Sequence, residues 1–293
     1  MSIETWLRAN GASLAGKTVV LTGATGGLGA EACRYILSCS GKLVTVTRNP
    51  QKTEALCKAL RDEFPGSQIQ CLYADFSDIQ QMKTLSDSLR DLPVDILILN
   101  AGAYAIPREI CSTGYDNVFQ INFVSHYYLV RRLLPLLIQR KSKVVAVGSI
   151  AHSGCPSDPQ DIDFASHEGA EKIYGNSKRY LMFSLMELLK DYPEVRFAIG
   201  HPGISLTGIT NSYPKAILPF VKFSMRILFM PPRLAVRSIV KAIFTDVPYL
   251  HWIGPKCKNI WGAPEIKALS TCESEERQAI LARAERIYEN LPQ

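Results

Sequence analysis

The 293-residue sequence contains no apolar run long enough to cross a membrane. A transmembrane helix needs about 20 consecutive apolar residues, and charged residues interrupt every hydrophobic stretch before that length. Residues 1–16 mix charged and apolar side chains and lack the ~7–15-residue apolar core of a secretory signal. We therefore expect a cytoplasmic protein with neither a signal peptide nor a membrane-spanning anchor.

Cysteine, histidine and basic residues are present but not in the patterns that indicate metal, disulfide or nucleic-acid sites. The eight cysteines are scattered without a Cys-x-x-Cys pair, which indicates reduced thiols in a reducing compartment. The five histidines have no metal-ligand spacing, so we expect no metal. The net charge is only +6 and lysine and arginine form no long run, so we expect no nucleic-acid partner.

What the sequence does contain is the composition of a globular enzyme, with 47% hydrophobic and 20% charged residues. Helical patterns alternate with short apolar segments, which predict strands near 18–21, 43–47, 69–73, 95–99, 143–148, 195–200 and 249–253. Buried strands separated by helices are typical of a parallel, doubly wound sheet. We expect an α/β Rossmann-type fold, with a central parallel sheet flanked by helices, in a single domain over 1–293.

A glycine-rich turn follows the first predicted strand. The strand Lys17–Leu21 leads to Gly23, Gly27 and Gly29, and the helical segment Ala30–Ser38 comes next. Glycines let the backbone approach a pyrophosphate closely, and the N–H groups at the start of the helix favour an anion. This context predicts a dinucleotide site; a glycine turn without a ligand is the alternative.

The residue after the second predicted strand bears on the choice of cofactor. In this fold class it meets the adenosine ribose, where an acidic residue would hold the 2′-hydroxyl of NAD. Here Arg48 takes that place, with Lys52 four residues on. Two cations suit a 2′-phosphate, so we expect NADP(H) in preference to NAD(H). A surface arginine without a ligand is the alternative.

Tyr174 and Lys178 have the spacing of neighbours on one helix face. A free tyrosine has a pKa near ~10, and a nearby cation favours the phenolate. The pair therefore predicts a general acid–base whose pKa is lowered by the lysine. The spacing alone is also compatible with a half-buried tyrosine beside a solvated lysine.

Five motifs in fixed order carry a family resemblance: Thr22–Gly29, Tyr73–Phe76, Leu99–Gly102, Asn122 in Ile-Asn-Phe-Val-Ser-His, and Val147–Ser149. With Tyr-x-x-x-Lys, they make the chain resemble a short-chain dehydrogenase/reductase of the single-domain type, from about residue 17 to about 207. The resemblance implies a catalytic set of Ser149, Tyr174, Lys178 and Asn122. It also implies a cofactor-binding set, in which Asp75 meets the adenine and Thr207 the nicotinamide amide: Gly23, Thr25, Gly27, Leu28, Gly29, Arg48, Asp75, Phe76, Asn100, Ala101, Gly102, Tyr174, Lys178, Pro202, Gly203 and Thr207.

Further details resemble the retinol-dehydrogenase-like branch. They are the segment Gly148–His152, the long spacing from Ser149 to Tyr174, and His201-Pro202-Gly203. Gly148 departs from that branch, which usually has a serine there. The branch implies lipophilic alcohols or carbonyls (retinoid, steroid or another apolar molecule) and a place in lipid metabolism. The family habit implies a homodimer or homotetramer, although lipid-active members are also monomeric.

Three further segments give expectations about the rest of the chain. Apolar positions over Asp116–Ile138 predict a helix that Pro135 should end or kink. Residues 205–232 are expected to cover the substrate; for 212–232 a lid, a buried core helix and a peripheral membrane contact all stay open. A C-terminal helix is expected over about 270–290, with a capping box formed by Ser270 and Glu273.

Together these features favour an NADP(H)-dependent oxidoreductase that interconverts an alcohol and its aldehyde or ketone. The alternatives are a catalytically idle NADP-binding regulator or scaffold, an NAD-dependent dehydrogenase of the same family, and an epimerase or dehydratase of the extended branch. A scaffold would be expected to lose one of the four catalytic residues, and extended members generally have a larger C-terminal domain.

Overall fold

The computed structural model describes residues 3–167, 169–203 and 230–293. Within them eight strands form one sheet. In chain order the strands are β1 (Thr18–Thr22), β2 (Lys42–Thr47), β3 (Ile69–Tyr73), β4 (Val94–Leu99), β5 (Lys143–Val147), β6 (Arg196–Gly200), β7 (His251–Cys257) and β8 (Trp261–Ala268). Across the sheet their order is β3-β2-β1-β4-β5-β6-β7-β8.

The helices occupy the connections between these strands. They are α1 (Ile3–Ala9), α2 (Gly27–Ser38), α3 (Pro50–Glu63), α4 (Ile79–Arg90), α5 (Asn117–Phe119), α6 (Ser125–Arg140), α7 (Ala170–Leu189), α8 (Pro232–Ala235), α9 (Arg237–Phe244) and α10 (Ser274–Glu289). A π-helical turn, Gln120–Val124, joins α5 to α6, and a 3₁₀ turn, Ile150–Gly154, follows β5.

The central strands β1, β4 and β5 are buried on both faces, which explains why they are mostly apolar. Successive side chains of a strand point to opposite faces. In β1, Val20 belongs to the cluster packed by α4, α6 and α7, whereas Val19 and Leu21 belong to the cluster packed by α1, α2 and α9. The predicted α/β fold, with a mostly parallel sheet between helices, is confirmed.

The sheet order places a crevice at the carboxyl ends of β1 and β4. The chain builds outward from β1 through β2 to β3, then returns to β4 on the other side of β1. Where the connections diverge in this way, the loops leave a gap that binds ligands in open α/β sheets. Because β1, β4 and β5 are parallel, the segments after Thr22, Leu99 and Val147 all lie at this edge.

Three local expectations differ from the structure. The last strand, β8, was not predicted; it pairs antiparallel with β7 and closes that edge as a hairpin. Pro135, expected to end or kink its helix, lies inside α6, so the helix end is absent there. Its ring is on the exposed face of the helix, where the carbonyl that loses its N–H partner can meet water.

The third difference is the start of the C-terminal helix. This helix, α10, begins at Ser274, and its N-cap Glu273 makes no side-chain cap, so the capping box of Ser270 and Glu273 is wrong. Leu269, directly after β8, donates its main-chain N–H to the carbonyl of Leu250 at 2.7 Å. This bond holds the end of β8 beside the start of β7.

Helix α10 is fastened to α7 by a mostly buried ion pair. The Arg179 Nε donates to Glu276 Oε1 at 2.7 Å, and the Arg179 side chain is only 3% exposed. The guanidinium also donates to the main-chain oxygens of His152, at 3.1 Å, and Thr271, at 2.8 Å. Arg179 therefore joins the 3₁₀ turn after β5 to the C-terminal helix.

Replacing Glu276 by Gln tests this joint. Burial alone would raise the pKa of the Glu276 carboxyl, but hydrogen bonds, first that from Arg179, hold it at about 2. In Glu276→Gln the buried guanidinium loses its counter-charge, so the free energy of unfolding should fall by about 2 kcal/mol at neutral pH. A folded-state pKa below the ordinary 4.5 means that the contribution is complete above that pH and is lost as pH falls toward 2.

Urea unfolding of both proteins between pH 7 and pH 3 measures the difference. The gap between wild type and Glu276→Gln should narrow as the pH falls below 5. Glu275→Gln, an exposed neighbour in the first turn of α10, is the matched control and should leave stability within about 0.5 kcal/mol. Equal stabilities of Glu276→Gln and wild type at pH 7 would contradict this role.

Candidate active site

The glycine turn after β1 has no room for larger residues. Gly23 has a φ of +69°, and a Cβ there would lie 2.7 Å from Ala101 Cα. A Cβ on Gly29 would lie 2.3 Å from the Gly23 carbonyl oxygen. Helix α2 starts within this turn, its N-cap Gly26 provides no side-chain cap, and its first turn has no acidic residue. The free N–H groups at this helix end fit the pyrophosphate of a dinucleotide.

The end of β4 is cross-linked to this turn by hydrogen bonds. The Asn100 side chain donates to the carbonyls of Thr22, at 2.9 Å, and Gly23, at 3.1 Å. The N–H groups of Asn100 and Ala101 both donate to Thr22 Oγ1 at 2.9 Å. A Cβ on Gly102 would lie 3.0 Å from Asn122 Oδ1. The segment 100–102 therefore supports the turn.

The residues predicted to meet the adenosine lie at the ends of β2 and β3. Arg48 and Lys52 are exposed, and among the described residues neither is in an ion pair. Asp75 uses Oδ1 to accept from the N–H and hydroxyl of Ser77, at 2.9 and 2.7 Å, which holds its side chain in a turn. Phe76 differs: its ring is 6% exposed and packs 4.8 Å from that of His126, so only its main chain can face a ligand.

Ser149 lies directly after β5, at the start of the 3₁₀ turn. Its hydroxyl oxygen accepts from the Ala151 N–H at 3.2 Å, and the hydroxyl acts to lower the pKa of the Tyr174 phenol. The residue before it is glycine for a steric reason, because a Cβ at Gly148 would lie 2.7 Å from Ile199 Cγ2 and 3.0 Å from Met182 Sδ. The serine usual in the resembling branch would not fit here.

Lys178 is buried, and no carboxylate of the described residues pairs with it. The residue is 3% exposed, and its Nζ donates to the Val147 carbonyl at 3.0 Å. The same nitrogen lies 5.9 Å from the centre of the Tyr174 ring. Burial lowers the pKa of Lys178 to about 8. Tyr174 and Lys178 are thus on one face of α7, as the spacing predicted.

The effect of Lys178 on Tyr174 differs from the expectation. Burial raises the pKa of the Tyr174 phenol, and the Ser149 hydroxyl only partly opposes this rise. The lowering by Lys178 is not found in the protein alone, because the ammonium is directed at the Val147 carbonyl. Tyr174 is therefore a protonated phenol at neutral pH.

Asn122 sits in the π-helical turn and is completely buried. Its amide accepts from the Ala103 N–H at 2.8 Å and donates to the Ala103 carbonyl, at 2.9 Å, and to Ser177 Oγ, at 3.0 Å. The Ser177 hydroxyl in turn donates to the Tyr174 carbonyl at 2.7 Å. These bonds join the end of β4 to the helix that carries Tyr174. The side chain of Asn122 is thus occupied by protein partners, and π-helical turns are frequent at functional sites.

His126 completes this network, and its protonation state follows from its partners. Its Nδ1 lies 3.2 Å from the Asn122 carbonyl, which can only accept, so Nδ1 carries the hydrogen. Burial, with a smaller effect of Lys178, lowers the pKa of His126 to about 3, so the ring is neutral. Its Nε2 therefore accepts from the Thr22 hydroxyl, 3.3 Å away.

Sequence reasoning did not assign a site role to Tyr104, Ser177 or His126. The Tyr104 ring meets that of Tyr174 edge to face, with centroids 5.2 Å apart, so it borders the phenol. Tyr104 follows directly after the motif at the end of β4, and Ser177 is one turn from Tyr174. Both positions could have been noted from the sequence.

The remaining predicted cofactor residues follow β6. Gly203 has a φ of +79°, and a Cβ there would lie 2.6 Å from the Ile260 carbonyl oxygen. His201, just before Pro202, donates its N–H to Ile253 at 2.7 Å, which holds this segment against β7. Thr207 and the expected substrate cover, apart from 230–232, lie outside the described residues.

Comparison with known proteins places this geometry in a family. A family model described as short chain dehydrogenase matches residues 17–157, the region from β1 to the turn after Ser149. Over these residues, just under half of the chain, the sequence is that of a short-chain dehydrogenase. The predicted resemblance is thereby confirmed.

Two curated relatives indicate how the similarity extends. An uncharacterised oxidoreductase of Schizosaccharomyces pombe is 27% identical over 261 residues, covering 82% of this chain and 76% of the relative. Human retinol dehydrogenase 13 is 25% identical over 202 residues, 67% of this chain and 61% of that protein. The latter supports the retinol-dehydrogenase-like branch. Matched segments span between 35% and 76% of the relatives' own lengths.

Solved structures share the fold at low identity. An uncharacterised protein from Mycobacterium paratuberculosis has a TM-score of 0.76 at 23% identity, covering 96% of this chain and 97% of that one. A short-chain dehydrogenase from Sphingobium yanoikuyae in complex with NADPH has a TM-score of 0.61 at 20% identity, with 94% and 96% covered. Within the described part of the chain, no helix is both long and apolar enough to span a membrane.

Gly175, next to the active-site tyrosine, offers a test of how the Ser149 turn is positioned. A Cβ at this residue would lie 2.4 Å from Cys155 Sγ and 2.6 Å from the Ala151 carbonyl oxygen. Gly175→Ala should push the 3₁₀ turn away from α7, although alanine by itself favours a helix by about 1 kcal/mol. We expect a net loss of about 1–3 kcal/mol in the free energy of unfolding.

Urea denaturation measures this loss. Gly154→Ala is the matched control, because nothing lies within 4 Å of a Cβ at Gly154. It should be close to wild type. A Gly175→Ala protein as stable as the control would mean that α7 does not hold the turn by close contact.

Proposed function

We propose that this protein is an NADP(H)-dependent oxidoreductase that interconverts an alcohol and its aldehyde or ketone. The observation that carries the proposal is the placement of the Tyr174 phenol: the buried ammonium of Lys178 lies 5.9 Å from the centre of its ring, and the Ser149 hydroxyl acts to lower its pKa. A proton donor, a second hydroxyl and a cation at one sheet edge suit a reaction at a carbon–oxygen bond.

The residues present fit a dinucleotide. The uncapped start of α2 and the glycine turn suit its pyrophosphate, and Asp75 has a second oxygen to offer the adenine amino group. Arg48 and Lys52 are exposed cations where a 2′-phosphate would lie, which supports NADP(H) over NAD(H). The resemblance assigns Lys178 to the nicotinamide ribose and Pro202, Gly203 and Thr207 to the nicotinamide end.

The proposed roles follow from the state of each group. When bound, the nicotinamide ring supplies or takes up a hydride. Because burial raises its pKa, Tyr174 stays protonated at neutral pH and can donate its proton to the oxygen of a carbonyl substrate. Ser149 donates a hydrogen bond to that same oxygen and stabilises its developing charge. The resemblance assigns Asn122 to a water that resupplies the proton to Tyr174.

For the substrate we propose a small lipophilic aldehyde or ketone. Tyr104 presents an aromatic ring beside the phenol, which suits an apolar molecule. The relative named retinol dehydrogenase 13 points to the same class. The protein would act as a cytoplasmic enzyme. It would contact a membrane surface where its substrate partitions into the lipid.

A panel of retinoid, steroid and long-chain carbonyls, each assayed by the consumption of NADPH, tests this choice of substrate. Binding of NADPH without turnover of any carbonyl would favour the idle regulator instead.

Tyr174→Phe tests the proton donor. The variant keeps the ring but removes the hydroxyl, so kcat should fall about 10²- to 10⁴-fold, the range for a general acid. NADPH affinity, followed by fluorescence titration, should stay within about 3-fold of wild type because the phenol contributes little to cofactor binding. Tyr288→Phe on α10 is the control and should keep wild-type kcat. A near-normal rate in Tyr174→Phe would exclude the assignment.

Arg48→Asp tests the cofactor separately. Replacing a cation by an anion at the adenosine end should weaken NADPH binding about 10- to 100-fold, because charge-assisted bonds to a phosphate contribute about 1.5–3 kcal/mol. Binding of NADH should be unchanged or tighter. Lys58→Asp makes the same charge change at an exposed residue farther along α3 and should alter neither affinity by more than about 3-fold. If NADPH affinity does not fall in Arg48→Asp, this residue does not select the cofactor.

A further inference from the structure

Two cysteine sulfurs face each other between α3 and β3, outside the active site. Cys57 Sγ lies 3.0 Å from Cys71 Sγ, and both residues are free thiols. A disulfide bond is about 2.05 Å long, so the two sulfurs need to approach by only about 1 Å. The two side chains are therefore already directed at each other.

The surroundings make one thiol accessible and the other protected. Cys57 is 1% exposed on α3, whereas Cys71 is half-buried. Strand β3 is the edge of the sheet, with β2 as its one neighbouring strand, so a small shift of Cys71 disturbs one ladder only. A reagent can thus reach Cys71 first.

The protonation of the two thiols fits this order. Burial, together with the neighbouring Cys71 thiol, raises the pKa of Cys57 to about 12. A protonated, buried thiol does not start an exchange reaction, because the thiolate is the nucleophile. Cys57 can attack the Cys71 sulfur once Cys71 carries a leaving group, because the two sulfurs are already adjacent.

We propose that Cys57 and Cys71 form a reversible dithiol–disulfide site, oxidised by small disulfides of the glutathione type. The Cys71 thiolate attacks one sulfur of oxidised glutathione, forms a mixed disulfide and releases one glutathione thiolate. Cys57 then gives up its proton and attacks the Cys71 sulfur, which releases the second glutathione. The two protein thiols lose two electrons and two protons, and one glutathione disulfide becomes two glutathione thiols.

The disulfide would join helix α3 to strand β3 covalently. The two cysteines are 14 residues apart, so the bond closes the loop that contains the second half of α3 and the start of β3. Closing a loop of this size restricts the unfolded chain. Oxidation should therefore raise the midpoint of thermal unfolding, and reduction should restore it.

The experiment follows thiols and masses in the full-length protein. Cys257 is exposed, and it is replaced by Ser in every sample so that its own reaction does not enter the count; seven of the eight thiols remain. The reduced protein is incubated with oxidised glutathione and then titrated with Ellman's reagent. We expect the loss of two thiols, no retained glutathione, one proteolytic fragment pair joined through Cys57 and Cys71, and full recovery with dithiothreitol.

Single variants separate the two steps. Cys57→Ser should stop at the mixed disulfide, with one glutathione on Cys71, and Cys71→Ser should leave Cys57 unreacted. Cys33→Ser is the matched control, because Cys33 is a fully buried thiol on the neighbouring helix α2; it should behave like the parent protein. Retained glutathione on Cys71 in the parent, or a bond that joins other cysteines, would overturn the proposal. Neither readout depends on enzymatic activity.

Discussion

The geometry of the candidate site depends on the hydroxyl of Thr22 at the end of β1. This oxygen accepts from two main-chain N–H groups at the end of β4, each at 2.9 Å, and lies 3.3 Å from His126 Nε2. Thr22 is completely buried, so water cannot replace any of these partners. One side chain thus couples the glycine turn, the end of β4 and, through His126, the carbonyl of Asn122.

Two neighbouring cations on α7 show how the same helix serves stability and chemistry. Arg179 has a carboxylate and two carbonyls as partners, which is the usual condition for a buried charge. Lys178, one residue earlier, donates to the Val147 carbonyl and to no carboxylate in the described part of the chain, and burial lowers its pKa. A cation left without a counter-charge is costly for folding, and such groups cluster at functional sites. Its place beside Tyr174 is consistent with that rule.

Much of the fold and the site could be predicted, because it depends on local sequence patterns. All seven expected strands form, and the glycine turn lies between β1 and α2 where the residue order put it. The expectations about Pro135, the start of α10 and the last strand failed for reasons that those patterns do not contain. The exposed face of α6 accommodates Pro135 inside the helix, Glu273 makes no side-chain cap at the start of α10, and β8 contains Gly262 and Pro264, residue types that argue against a strand.

By itself the sequence determined the order of elements, the glycines of the turn and the chemical groups available, since these depend on residue type and short-range spacing. Only the tertiary structure decided the environment of each group. It raised the pKa of Tyr174 by burial, paired Arg179 with Glu276, excluded a serine at Gly148 and brought Cys57 against Cys71. The physical reason is that desolvation and side-chain contact arise between residues that the chain separates widely and the sheet brings together.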